Sequence, residues 1–135
     1  MASMFILYVK DQQNSRNFYS KVLNQEPTLD VPGMTEFALG EGASLGLMPE
    51  EGIKRILGDK LPDPGNGNGI PRAEVYIQVE DPQSHHLLAL ESGATELSPL
   101  EKRNWGDLVA YSMDPDGHVL AFACKETKNL GDSNG

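Results

Sequence analysis

The tripeptide Val9-Lys10-Asp11 returns as Val79-Glu80-Asp81, seventy residues further along a chain of 135. This echo constrains the fold more than any other feature, because each copy sits at the same place in a longer pattern. In front of each lies a strand-like stretch, MFILYV over 4–9 and EVYIQV over 74–79, rich in β-branched and aromatic residues. Each Asp is suited to accept hydrogen bonds from the free N–H groups of a first helical turn, so each marks a helix start. Phe18, Tyr19, Val22 and Leu23 then share one face of a first helix. Leu87, Leu88 and Leu90 do similar work in a second. Asn24 and Gly93 are placed to end these helices in the left-handed conformation.

Three strand candidates follow each helix, at 27–31, 35–39 and 43–48 and again at 95–97, 108–113 and 118–123. Pro32-Gly33, Gly40-Glu41-Gly42 and Asp114-Pro115-Asp116-Gly117 supply turns between them. Each half thus reads strand–helix–strand–strand–strand, and the predicted class is α+β, two βαβββ modules in one chain. The first module covers 1–57 with a short helix over 50–57, and the second covers 73–125. Between them GDKLPDPGNGNGIPR, residues 58–72, reads as an exposed Gly/Pro/Asn linker, and the polar stretch 126–135 reads as a frayed tail. The whole is expected to form one domain. A four-stranded half-sheet leaves one face uncovered, so the two halves are expected to curl against each other as a paired mixed sheet around a cleft.

Charge and composition remove several functions. A formal net charge of -9 and a pI near 4.6 argue against a nucleic-acid partner, which demands clustered Lys and Arg. No apolar run approaches the roughly 20 residues that span a bilayer, so no membrane partner is expected. The start, MASMFILYVK, lacks a basic n-region and a small-residue cleavage site, so it reads as a strand and the location as cytoplasmic. Cys124 is the single cysteine; no internal disulfide can form, and it reads as a small half-buried residue.

Two stretches, YVKDQQNSRNFYSKVL from Tyr8 and WGDLVAYSMDPDGHVLAF from Trp105, resemble the vicinal oxygen chelate superfamily. That group includes glyoxalase I, bleomycin-resistance proteins and extradiol dioxygenases. The likeness runs over residues 4–124 and rests on the order of strand, Asp, helix with Phe-Tyr, duplication and Trp-Gly before Asp-Pro-Asp-Gly. It implies the paired βαβββ fold and a homodimer. It also implies a divalent metal held by side chains of the first and last strand of each module. In this chain those places fall on Met4, Gly46 (within a residue or two), Glu74 and Ala121. Glu74 is the one donor among the four, and one carboxylate does not hold a catalytic divalent cation. Neither metal nor cofactor is therefore expected. His85 and His86 are expected to be solvated on the outside of the sheet, and His118 to sit in the turn or on the far face.

Without the metal the cleft is expected to be lined by Met4, Phe37, Met48, Glu74, Tyr76, Trp105 and Tyr111. Methionines adapt their shape, aromatic faces stack on planar or cationic ligands, and a carboxylate pairs with a cation or donor. The expected function is a metal-independent protein of the glyoxalase/bleomycin-resistance type that binds or sequesters a small planar or cationic molecule, with antibiotic resistance as the setting the resemblance implies. The alternative is a metal-dependent lyase or isomerase resembling glyoxalase I, with Glu74 as metal ligand or catalytic base. A third reading is a regulatory or partner-binding domain whose cleft is filled. The ligand's identity is not written in the sequence.

Overall fold

The computed structural model describes residues 1–126. In chain order the elements are β1 (Ser3–Val9), α1 (Gln12–Leu23), β2 (Leu29–Val31), β3 (Met34–Gly40), β4 (Ala43–Pro49) and α2 (Glu50–Leu57). Two short 3-10 turns, Gly58–Lys60 and Pro64–Gly67, lead into β5 (Glu74–Gln78), α3 (Pro82–Glu91), β6 (Thr95–Lys102), β7 (Asp107–Met113) and β8 (Val119–Lys125). No helix among the described residues is long and apolar enough to cross a membrane.

The duplication is visible in the strand orders, β1-β4-β3-β2 and β5-β8-β7-β6. In each sheet the first strand pairs parallel with the last, and the remaining pairs are antiparallel. The two sheets are both mixed and do not close into one. The Asp side chains at 11 and 81 accept the Asn14 and Ser84 N–H groups, capping α1 and α3 as the spacing predicts. Asn24 ends α1 with φ of 56°, and Gly93 follows α3 at φ of 113°. The strand beginning at Thr95 runs to Lys102, well past the predicted Leu97. It is an edge strand with two register shifts against β7, which accommodate Pro99.

Side-chain parity divides each sheet into two faces. Leu7, Val9, Phe37, Leu45 and Leu47 of the first sheet point toward α1, and Leu120 and Phe122 of the second toward α3. These residues share one core with Phe18, Tyr19, Val22, Leu23 and Ala89. The modules therefore meet through their helical sides, with α1 against α3, and their other faces point outward. That arrangement corrects the expected solvated histidines. His85 stacks on Phe122 at 5.1 Å and its Nδ1 lies 2.7 Å from the Val22 carbonyl of the first module. His86 is buried, its Nε2 lying 2.9 Å from Glu96.

The turn between β7 and β8 ties the modules at a second place. Tyr19 of α1 donates to the Asp114 carboxylate at 2.5 Å, and the other Asp114 oxygen accepts the Asp116 and His118 N–H groups. Burial, then the Asp114 charge, push the Tyr19 hydroxyl pKa well above its ordinary value. Asp116 accepts from the Lys10 N–H and the Ser15 hydroxyl, and His118 Nε2 lies 3.1 Å from the Tyr8 carbonyl. The predicted linker is ordered enough to hold its two 3-10 turns. The predicted tail, apart from Glu126, lies outside the described residues.

Candidate functional site

Parity places most of the sequence-nominated residues on the outward faces. Met4 and Met48 lie there on the first sheet with Met34, Ile6 and Tyr8; Glu74, Tyr76 and Tyr111 lie there on the second. Phe37 does not. It pairs with Leu45 on the helical side and is fully buried. The sequence nominated it because an aromatic in an alternating strand reads equally well from either side.

Across the second sheet Tyr76, Ala121 and Tyr111 form one row, with Gln78, Ala123 and Val109 beside it. The methyls of Ala121 and Ala123 and the side chain of Val109 are fully buried, with Tyr111 packed on them. Arg103 lies over the Tyr111 ring at 5.1 Å and donates to Ser98 Oγ and the Val109 carbonyl. Much of this face is thus covered by the module's own side chains.

At its edge stands a polar network that the sequence reading missed. Asp107, 2% exposed, accepts from the Tyr76 hydroxyl at 2.5 Å and from Gln78 Nε2 at 3.1 Å. Trp105 Nε1 donates to the Tyr76 oxygen at 2.8 Å, and Lys125 pairs with Asp107 at 3.3 Å. The Tyr76 hydrogen bond is the chief cause holding the Asp107 carboxyl below the usual aspartate range. Desolvation, then the bond to Asp107, raise the Tyr76 hydroxyl. Desolvation and then the charge of Glu74 raise Tyr111, which places Glu74 within its electrostatic reach. The sequence shows an acid opening an alternating strand beside Trp-Gly, but its partners Tyr76, Gln78 and Lys125 come from other strands.

The four positions that the family would use for a divalent metal do not fit one. A Cβ at Gly46 would meet Met4 Sδ at 3.0 Å and Met34 Sδ at 3.3 Å, so thioethers and aliphatic carbon fill the first module's half. In the second module Ala121 is buried, leaving Glu74. Among the described residues no three His, Cys, Asp or Glu side chains converge. Soft thioethers and a single carboxylate are a poor set for hard or borderline cations.

The space between the modules lies at the border of these faces, where the two sheets' edges approach. A cavity of about 520 Å³ opens between the edge strands β1 and β5. Its walls include Phe5, Leu7, Leu39 and Leu45 from one module and Val75 and Ile77 from the other. Glu74, Tyr76 and Gln78 also line it, and Glu74 is the one charged side chain among the lining residues. Of the nominated residues the cavity gathers Glu74 and Tyr76, with Trp105 bonded to Tyr76; Met4, Phe37, Met48 and Tyr111 do not line it.

This duplicated architecture is that of the vicinal oxygen chelate superfamily, and comparison with known proteins agrees. The family model of the glyoxalase-like domain matches residues 2–124, and the chain belongs to that family. It is 27% identical over 115 residues to an uncharacterized protein of Mycobacterium bovis, covering 83% of this chain and 75% of that one. A crystal structure of a glyoxalase-related enzyme from Fulvimarina pelagi superimposes with a TM-score of 0.77 at 19% identity, covering 93% of this chain and 88% of that one. A glyoxalase/bleomycin resistance protein/dioxygenase family enzyme from Burkholderia phytofirmans gives 0.76 at 16% identity, covering 92% and 98%. At such identities these likenesses establish the fold.

Proposed function

We propose that the protein binds a small molecule in the cavity between its modules without a metal, and that it holds its guest rather than transforming it. The observation that carries this reading is the cavity's make-up: about 520 Å³, walls mainly aliphatic and aromatic, and one carboxylate. That volume lies within the range of ordinary ligand sites. An apolar body with a cationic or hydrogen-bond-donating group complements it, the body covering Phe5 and Val75 and the donor reaching Glu74. The donor set at the family's metal positions supports the metal-free reading.

The same reading makes the protein a cytoplasmic homodimer. Met4, Tyr8, Leu29 and Val31, away from the cavity, are all more than a third exposed on the outward face of the first sheet. An apolar surface of that extent marks a contact face, and a second copy would cover it. Light scattering on the purified chain should return twice the mass of 14.7 kDa.

The test of function is a thermal-shift screen with apolar amines, followed by Glu74→Gln. A ligand bound to the native state raises the melting temperature with concentration. The Gln variant should weaken a cationic ligand about tenfold and leave its uncharged analogue unaffected. Stoichiometric zinc, nickel, iron or manganese in the purified protein, by elemental analysis, would overturn the proposal in favour of a glyoxalase-like catalyst.

A further inference from the structure

Backbone direction along β1 and β5 says more about the occupant of the cavity. In a strand the N–H and C=O of one residue point to the same side, and the next residue's point to the other. The Ser3 N–H donates to the Gly42 carbonyl, toward β4. Ser3, Phe5, Leu7 and Val9 therefore spend their backbone groups inside the sheet, while Met4, Ile6 and Tyr8 direct theirs outward. In the second module the Val79 N–H donates to the Ala123 carbonyl, and the Ala73 carbonyl accepts the Val119 N–H. By the same alternation Glu74, Tyr76 and Gln78 present theirs outward.

Part of the β1 edge is closed by the protein itself. His118 takes the Tyr8 carbonyl and Asp116 takes the Lys10 N–H, both from the turn of the second module. The cover stops there. Ile6 on one side and Glu74, Tyr76 and Gln78 on the other line the cavity, and nothing among the described residues pairs with their outward backbone groups. Beside them Phe5 is 69% exposed although it has the parity of the buried Leu7 and Val9. Two open strand edges, an unfinished apolar floor and a lone carboxylate thus bound one space. An uncovered edge is a template for pairing, and proteins leave few of them bare.

We propose that this space takes an extended oligoamide, a short peptide or a peptide-derived small molecule, which adds a strand between β1 and β5 and places a cationic side chain at Glu74. This inference rests on the cavity being the ligand site. From Glu74 to Gln78 the edge spans about 13 Å at roughly 3.3 Å per residue, enough for a guest of three or four residues. Backbone pairing supplies affinity, and alternate side chains select. Apolar groups on one side of the guest meet Phe5 and Val75, and charge complementarity with Glu74 favours Lys or Arg on the other.

Three probe sets on the full chain test it: pooled blocked tripeptides acetyl-X-Lys-X-amide with X as Val, Leu or Phe; the same molecules with amides replaced by esters; and 4-phenylbutylamine as a simple apolar amine. Affinity is read by calorimetry, and amide hydrogen exchange at Ile6, Tyr76 and Gln78 is followed by NMR. Expected are peptide binding, a loss of about fivefold to tenfold per ester, and slowed exchange at those three amides. If the amine binds as well as the peptides, or the peptides bind with exchange unchanged or without loss on ester replacement, the strand-addition proposal fails and the small-molecule site stands. If no probe binds, both fail.

Discussion

Replacing Tyr19 by Phe tests the joint between the modules. The hydroxyl is buried with Tyr19 1% exposed, and its partner Asp114 is 3% exposed. The Asp114 oxygen that faces Tyr19 takes its hydrogen bond from that phenol, while the other is held by the Asp116 and His118 N–H groups. Removing the phenol leaves a buried carboxylate oxygen one donor short. A hydrogen bond to a charged group is worth about 1.5–3 kcal/mol, and an orphaned charged acceptor sits at the upper end. At about 2.1 cal/mol/K of unfolding entropy per residue, this chain should melt about 5 to 10 °C lower. Urea unfolding gives the same quantity independently, with the midpoint falling and the slope unchanged.

The same variant carries a pH signature. The folded Tyr19 pKa is raised, so its contribution is whole below the unfolded value near 10 and declines as pH rises above it. Wild type should lose stability above about pH 10, and Tyr19→Phe should lose less over the same interval. Tyr8→Phe is the control, because the Tyr8 ring lies on an outward face and should change stability by under about 0.5 kcal/mol. A melting shift below about 2 °C, or an alkaline decline identical to wild type, refutes the joint.

Two further changes probe the outward face of the second module. Tyr76→Phe removes the main cause of the lowered Asp107 pKa and the acceptor of the Trp105 N–H. Tryptophan emission should move, Trp105 being the single tryptophan. The Asp107 contribution is whole above the unfolded value near 3.9 and is lost as pH falls through the lower folded one, so the variant's acid-unfolding midpoint should move to higher pH. Arg103→Lys surrenders the fork that reaches Ser98 Oγ and the Val109 carbonyl and the stack on Tyr111. It should cost about 1–3 kcal/mol in urea titration, and a change under about 0.3 kcal/mol would show that Lys substitutes adequately.

The fold was legible because its signals are local. An Asp that can cap and an Asn or Gly that can adopt positive φ delimit α1 and α3 from within a few residues of sequence. Alternation then gives the strands, and repetition gives two modules of one plan, while the strand order is visible only in the structure. What alternation cannot give is which of its two faces meets the helices, and Phe37 shows the consequence. The histidines failed for a related reason. His85 and His86 lie on a helix with polar neighbours, but α3 is gripped between α1, β7 and β8, so its polar face is also a contact face. Glu74 was nominated from the metal-ligand position that the resemblance implies and Tyr76 from its place on an inner strand, and both line the cavity. Asp107 was missed because its meaning depends on Tyr76, Gln78 and Lys125, three residues distant in the chain.

The two modules share a backbone plan and differ in what they place upon it. In the first, the thioethers of Met4 and Met34 lean into the space that Gly46 leaves. In the second, the equivalent row is roofed by Tyr111 and braced by Arg103. Among the described residues neither outward face gathers three His, Cys, Asp or Glu side chains, which supports the metal-free proposal. Conversely, the edge strands have kept unpaired backbone groups, and a strand edge costs solubility unless something covers it. The protein spends Asp116 and His118 on covering one stretch of β1 and stops where the cavity begins. Selection for solubility alone would favour continuing the cover, for instance with a lysine in place of Ile6. On the strand-addition proposal, the bare stretch is where a guest pairs.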